Sequence, residues 1–286
     1  MMDFDYHRPE TLDEALALKQ SVAGSRYVAG GTDMLVRIKN GVEQPRALIS
    51  LRKLDELRGI ERRGDELRIG AATPVADIAA DPTVQAEHGV LAQAAQRLGS
   101  PQIRSSATVG GNLCNASPCA DTATPLLVLE AEAEIAGAAG TRRVRLAEWF
   151  TGPGQTLLDE SDILTALVLP PQPAGACGRF LKKGRVRMDL ALVNVAAQLV
   201  VTAGGRCDKA RLAAGAVGPV PLVLSRSQER LEGQPLTTER IAEAAQLAAD
   251  DVEPIDDVRA SAVYRRQLVG VYVKRALEAL AAGGTP

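Results

Sequence analysis

Two glycine-rich segments about eighty residues apart carry the residue types that hold a phosphate. The first is Val28-Ala29-Gly30-Gly31-Thr32-Asp33-Met34-Leu35. The second is Ala107-Thr108-Val109-Gly110-Gly111-Asn112, which continues to Ser117-Pro118 and Asp121. Each has an apolar lead-in, two adjacent glycines and then a hydroxyl or amide side chain. Adjacent glycines permit positive φ and let a ligand approach the backbone with no Cβ in the way. Successive N–H groups in such a turn form a concave nest for an anion, and a following helix adds its free N–H groups and dipole. One such loop is a weak signal. Two can hold both ends of a pyrophosphate, which points to a dinucleotide.

Elements must bring the two loops together. Thr11-Leu12-Asp13-Glu14 has the form of a capping box and predicts a short helix through Leu16 and Leu18. Arg26 to Ala29 reads as a brief strand ending at the first glycine pair. Asp33 to Lys39 reads as a helix, with Met34, Leu35 and Ile38 at helical spacing and Gly41 placed to end it. Ala47 to Ser50 is a buried strand. A new unit starts near Leu57. Leu67 to Ala71 alternates as a strand, and Thr73-Pro74 predicts an N-cap with proline at the first helical position. One helix is expected from about Thr83 to Leu98, broken by Gly99-Ser100-Pro101. Pro125 to Glu130 is expected to be helical, and Ile163 to Leu169 a strand.

Pro170-Pro171-Gln172-Pro173-Ala174-Gly175 suits a semi-rigid connector. Beyond it, residues 193–202 alternate with period two, which predicts a half-buried strand. Gly204-Gly205 turns the chain and Ala210 to Val217 pairs back. Helices are expected around 239–249 and 262–280. The order of elements gives two α+β domains: 1–173, with sub-parts of about 1–56 and 57–173, and 174–286.

Composition narrows the function. The 286 residues favour two domains. Hydrophobic residues are 46% and aromatics 3%, so cores of Ala, Val and Leu are expected and a base-stacking platform is not. The 33 Lys and Arg against 35 Asp and Glu leave a net charge of −2, which disfavours nucleic acid or an anionic membrane as main partner. The start, Met1-Met2-Asp3-Phe4, lacks the pattern of a signal peptide, and no apolar run spans a bilayer. The four cysteines are too few for a disulfide scaffold, so a cytoplasmic setting is expected.

With both loops in context, the chain resembles the FAD-binding medium subunit of the molybdenum hydroxylases, which include xanthine dehydrogenases, carbon monoxide dehydrogenase and related aldehyde and N-heterocycle hydroxylases. The resemblance covers nearly the whole chain. It rests on Phe4 to Pro9 with Thr11 to Ala15, on Ala29 to Asp33, on Thr108 to Asn112 with Asn115-Ala116-Ser117-Pro118 and Asp121, on Phe180-Leu181-Lys182 with Gly184-Arg185, on Val193-Asn194-Val195 and on Tyr264-Arg265-Arg266. It implies a two-part FAD-binding domain of the vanillyl-alcohol-oxidase (PCMH) type, followed by a smaller C-terminal domain with a three-stranded sheet and helices. It also implies that hydroxylation happens elsewhere. Electrons would leave a molybdopterin in a large subunit, cross two [2Fe–2S] clusters in a small subunit and reach FAD here, then pass to NAD, oxygen or another acceptor. The flavin does the redox chemistry, and the protein binds and tunes it.

The site residues follow from that resemblance. Ala29, Gly30, Gly31, Thr32, Asp33, Met34, Leu35 and Val36 would be the first contact run. Asp33 is an odd neighbour for phosphate, and capping the next helix suits it better. Thr108, Val109, Gly110, Gly111 and Asn112 would be the second clamp. Asp121 would accept from ribityl or ribose hydroxyls, or else N-cap the Pro125 segment. Leu164 would give a backbone contact and Lys182, or its neighbour Lys183, a cationic one. Cys114 and Cys119 read as packing residues, and no inserted cysteine-rich loop for a further cluster is present. FAD would be non-covalent, since no histidine lies near the loops. Arg265 and Arg266 would face a partner or solvent. The competing readings are a self-contained flavin oxidase or reductase and a non-catalytic nucleotide-binding module.

Overall fold

The computed structural model describes residues 3–283. The Met1-Met2 start of the expected first domain, and residues 284–286 of the second, lie outside them. The chain opens with β1 (Asp5–His7), α1 (Leu12–Ser21), β2 (Ser25–Val28), α2 (Met34–Lys39) and β3 (Ala47–Ser50). Asp5 of β1 and Ser25 of β2 both stand opposite Ala47 of β3, in parallel register. The central strand β3 is therefore covered on both faces, which is why Ala47 to Ser50 read as a continuous apolar run. Leu48 packs with Val28 and Ile38 on one face. Ile49 packs with Ala15 on the other. Thr11 Oγ1 accepts from Glu14 N at 3.2 Å, the expected cap of α1. Gly41, at φ 72°, closes α2 with its N–H on Ile38 O.

The second part holds β4 (Ile60–Arg63), β5 (Glu66–Gly70), α3 (Val75–Ala80), α4 (Pro82–Glu87), α5 (Gly89–Arg97), α6 (Pro101–Ser106), α7 (Val109–Cys114), α8 (Ala123–Val128), β6 (Glu132–Gly137), β7 (Gly140–Arg145), β8 (Phe150–Gly152), β9 (Gln155–Thr156) and β10 (Ile163–Leu169). Five of the strands form an antiparallel sheet in the order β4-β5-β10-β6-β7. The helices cover one face. Leu67, Ile69, Val75, Ile78, Leu91, Leu113, Leu126 and Trp149 form the core between them. Trp149 is fully buried, and its indole N–H donates to Leu113 O at 3.1 Å, which ties α7 to the connection between β7 and β8. Two expectations change here. The helix expected from Thr83 to Leu98 is two, because His88, at φ −130° and ψ 41°, leaves the helical region before Gly89 restarts it. Thr73 is not the cap of α3. Pro74 takes that position, and the Thr73 hydroxyl instead exchanges hydrogen bonds with Gly59 N and O.

The third part is β11 (Ala176–Lys183), β12 (Val193–Val201), β13 (Cys207–Gly215), β14 (Leu222–Val223), α9 (Ser225–Leu231), α10 (Thr238–Asp251) and α11 (Ala262–Ala281). The sheet has four strands in the order β11-β12-β13-β14, one more than expected, because the short β14 pairs with Ala213 and Ala214. β12 is buried on both faces rather than half-buried. Val193, Val195, Ala197 and Leu199 pack with Leu212, Val269, Val273 and Leu277, the last three on α11. Ala196 and Ala213 turn the other way and join Phe180 in the core of the second part. The small polar and alanine positions of β12 therefore face a neighbouring domain, not water. A Cβ on Gly178 of β11 would lie 2.8 Å from Val90 Cβ, which shows how closely the parts approach. Gln93 of α5 pairs with the edge of β11, accepting from Phe180 N at 2.9 Å.

Candidate functional site

β2 runs out of the core into the first glycine pair. Val28 is buried, so Ala29 and Gly30 emerge at the C-terminal end of a parallel strand, where open sheets receive ligands. Gly31 takes φ 75°, the left-handed turn only glycine enters cheaply. The N–H groups of Gly30, Gly31, Thr32, Asp33 and Met34 meet no backbone acceptor among the described residues. Groups left so are rare unless a ligand or water takes them, and consecutive free N–H groups are what an anion nest consists of. Asp33 sits at the cap position of α2 but makes no side-chain cap bond, contrary to expectation. Met34 packs against the small core of the first part, while Leu35 and Val36 are half exposed.

The two glycine segments touch. A Cβ on Gly30 would lie 2.0 Å from Ser106 O and 3.0 Å from Ala107 Cα, at the start of the second segment. That segment, however, spends its own donors. Gly110 N donates to Ala71 O at 2.8 Å, Val109 N to Thr73 O at 3.2 Å and Asn112 N to Thr108 O at 3.0 Å. Thr108 caps α7 by accepting from Gly111 N at 3.0 Å. Asn112 Oδ1 accepts from Thr122 N and, at 2.6 Å, from its hydroxyl. Only Gly31 of the four glycines has positive φ. The second segment is thus no second donor nest. It offers bare backbone: Gly110 and Gly111 form a wall with no side chain, and a Cβ on Gly111 would approach only Thr108 Oγ1, at 2.9 Å.

That wall belongs to a cavity of about 260 Å³ between the first and second parts. Its apolar lining comes from Ala29, Leu51, Leu57, Ile163 and Leu164, with Cys114 beside Gly111. Lys19, Arg26 and Glu160 add charge to the lining. The Lys19 ammonium bridges Glu160 at 3.0 Å and Ser25 O at 2.8 Å. Tyr27 O–H donates to Ser161 O at 3.2 Å. Burial, with the Asp162 carboxylate adding, pushes the Tyr27 phenol well above its usual value, so it stays a donor. Leu164, an expected site residue, lines the cavity, but residues 158–163 carry no site signal in the sequence. Tyr27 lies inside the strand expected over Arg26 to Ala29, which is the one local signal it carries. Lys19 and Glu160 are separated by 141 positions and carry none.

The remaining residues form a second cluster. Lys182 Nζ lies 2.5 Å from Asp121 Oδ2, with both side chains almost wholly buried. It also donates to Arg97 O at 3.3 Å. Asn194 Nδ2 donates to Asp121 Oδ1 at 3.3 Å. Burial pushes the Asp121 carboxyl up, against the pull of Lys182 and Asn194. Asp121 therefore does not cap α8, whose cap position is Thr122. It is Lys182, not Lys183, that meets Asp121. Neither Asp121 nor Lys182 lines the cavity. Arg265 is buried too, rather than facing a partner or solvent. It donates to Leu192 O at 2.8 Å, Ala216 O at 3.1 Å and Asp257 Oδ1 at 2.8 Å.

Comparison with known proteins bears directly on this geometry. A family model described as the FAD binding domain in molybdopterin dehydrogenase matches residues 2–172, and one described as the CO dehydrogenase flavoprotein C-terminal domain matches residues 179–280. The chain is 35% identical over 289 residues to the putative xanthine dehydrogenase FAD-binding subunit of Escherichia coli K12, covering 99% of each. It is 33% identical over 277 residues to the carbon monoxide dehydrogenase medium chain of Hydrogenophaga pseudoflava, covering 96% of each. Among solved structures it superposes on a chain of the carbon monoxide dehydrogenase from that organism with a TM-score of 0.96 at 32% identity, covering 100% of this chain and 99% of the other.

Proposed function

The chain belongs to the FAD-binding medium subunits of the molybdenum hydroxylases, and from that premise we propose how its residues hold the cofactor and where the electrons go. It is the flavoprotein component of an oxidoreductase whose hydroxylation chemistry lies on another subunit. FAD supplies the electron-transfer chemistry when bound.

The residues present fit FAD. The free N–H groups of Gly30 to Met34 suit a pyrophosphate, the Thr32 hydroxyl lies in the same turn, and Ala29, Leu35 and Val36 flank it. The bare wall of Gly110 and Gly111, with Leu164 also lining the cavity, leaves room for a flat group there. Its volume is under the ~300 Å³ at which sites begin to enclose a drug-sized ligand, so the cavity takes one end of the dinucleotide and the open groove the rest. Thr108, Val109 and Asn112 act by holding that wall in place. Lys182, held by Asp121 and Arg97 O, keeps a third N–H with no acceptor among the described residues, which is assigned to the part of the cofactor outside the cavity. The observation that carries this reading is the run of unpartnered N–H groups abutting the second glycine segment through Gly30. Titration of cofactor-free protein with FAD and with FMN tests it: FAD binds at one site per chain, and equal binding of FMN removes the pyrophosphate from the account.

The partners proposed are a small iron–sulfur subunit and a large molybdopterin subunit. The relatives support this by being named as subunits or chains of such dehydrogenases. The acceptor proposed is NAD or another electron acceptor. A cytoplasmic setting is supported by four free cysteines. No helix among the described residues is long and apolar enough to cross a membrane.

A further inference from the structure

We propose that Asn194 is a positioning residue for the cofactor site: its amide fixes the Asp121 carboxylate, and through it the direction in which Lys182 offers its remaining N–H. This rests on the FAD reading above. Lys182, Asn194 and Gly215 stand side by side in one row across β11, β12 and β13. Asn194 is wholly buried at the contact between the two domains. Thr124 Oγ1 of α8 donates to Asn194 Oδ1 at 2.9 Å. With its oxygen so engaged, Asn194 can turn only its NH₂ toward Asp121. Gly215 makes the room: a Cβ there would lie 2.5 Å from Asn194 Oδ1.

The donor count gives the consequence. An ammonium has three N–H groups. Those of Lys182 go to Asp121 Oδ2 and Arg97 O, and the third meets no acceptor among the described residues. Asp121 has one oxygen on Lys182 and the other on Asn194. If the Asn194 donor is lost, the freed oxygen is a buried, unmatched acceptor, and the carboxylate turns to take a second bond from Lys182. The third N–H is then consumed within the protein. Asp121 is also tied to the second glycine segment, because its neighbour Thr122 is bonded to Asn112 Oδ1. A swing of Lys182 therefore acts at the site without unfolding it.

The charged group facing Asp121 is Lys182 on β11; Cys119 on its own loop is a thiol that burial keeps neutral, and Arg259 before α11 acts on Cys119. Thr124 and Asn194 are neutral. An Asn194→Asp substitution keeps the shape and replaces the donor by a second carboxylate. Two adjacent carboxylates hold a shared proton, and one pKa rises strongly. When that proton is bound, the new acid donates to Asp121 and restores the clamp. When it is lost, the clamp opens and the site becomes net negative toward an anionic cofactor.

The test uses the full chain, stripped of flavin and titrated with FAD from pH 5.5 to 8.5. For Asn194→Asp, the ratio of its Kd to that of the wild type is about 1 at pH 5.5 and rises to about ten at pH 8, which corresponds to about 1.4 kcal/mol. Thr124→Val, which frees the amide to flip, weakens FAD binding about three-fold at every pH. A ratio for Asn194→Asp that stays flat with pH overturns the inference, even if the variant melts earlier. If that variant fails to fold, unchanged FAD affinity in Thr124→Val overturns it. Failure of the wild type itself to bind FAD overturns the functional reading on which the inference rests.

Discussion

Gly30 lies so close to Ser106 that a single added Cβ would come within 2.0 Å of the Ser106 carbonyl oxygen. This contact joins the two glycine segments into one site. It assigns Gly30 a role that the loop sequence alone does not show: close approach to backbone, as well as approach to a ligand.

Gly30→Ala must therefore push the first loop off the second, because the obstacle is main chain and cannot rotate away. We expect FAD affinity to fall by at least about ten-fold, with the far-UV circular dichroism kept. Normal affinity in the variant would show that the two segments need not touch for binding.

Gly111→Val acts differently. Gly111 is helical and its φ is not left-handed, so the substitution introduces no forbidden backbone. Its two methyls project into the cavity, where a Cβ meets only Thr108 Oγ1. Flavin occupancy should drop sharply while the melting temperature moves little. Full occupancy with an unchanged spectrum would remove Gly111 from the wall.

The Asp121–Lys182 pair predicts strong non-additivity. Lys182→Met leaves a buried carboxylate without its partner, a loss of about 3–5 kcal/mol by denaturant unfolding. Lys182→Met with Asp121→Asn should cost much less than the sum of the two single changes, since it buries no charge. Additive losses would mean the two groups do not depend on each other in solution.

Asp257 gives the pH dependence. Burial raises its carboxyl, but the N–H groups of Arg259 and Ala260 and the Arg265 guanidinium outweigh this and hold it at about 2. A depressed carboxylate contributes stability above its unfolded pKa of about 4, which is lost as pH falls through the folded value. Asp257→Asn should melt earlier than wild type at pH 7, with the gap closing between pH 4 and pH 2. A gap constant over that range would place the stabilisation elsewhere. The clamp matters to the site because Arg265 also holds Ala216 O, and Ala216, at φ 64°, donates its N–H to Pro118 O beside the second segment.

The features legible in the sequence are local ones. Gly30-Gly31, the capped helix α1 and the strand before the first loop each announce themselves within a few residues. The features that are not legible depend on distance. Asn194 looks like one polar position in an alternating strand, and only the packing of β12 between two cores shows that it is buried. The wall residues Leu51, Leu57 and Ile163 are ordinary apolar residues until the fold places them around one space. No sequence signal marks the break at His88, because the apolar pattern of α4 continues in phase into α5. Glycine pairs look alike in sequence, so the second segment has the pattern of a donor nest without being one. Which carbonyl each N–H finds is decided by Ala71, Thr73 and Thr108.

FAD should be held without a covalent bond. Among the described residues neither His7, in β1, nor His88, between α4 and α5, lines the cavity. Acid precipitation of flavin-loaded protein should leave the yellow colour in the supernatant; colour retained in the pellet would contradict this.

The central claim is that this chain relays electrons and does no substrate chemistry of its own. The FAD-loaded chain, free of metals and other subunits, should be mixed anaerobically with purines, aldehydes and N-heterocycles while the flavin absorbance is followed. The account predicts no bleaching by any of them alone, and bleaching once iron–sulfur and molybdopterin subunits are added. Rapid bleaching of the isolated chain by such a substrate would contradict it and make the chain a self-contained flavin enzyme.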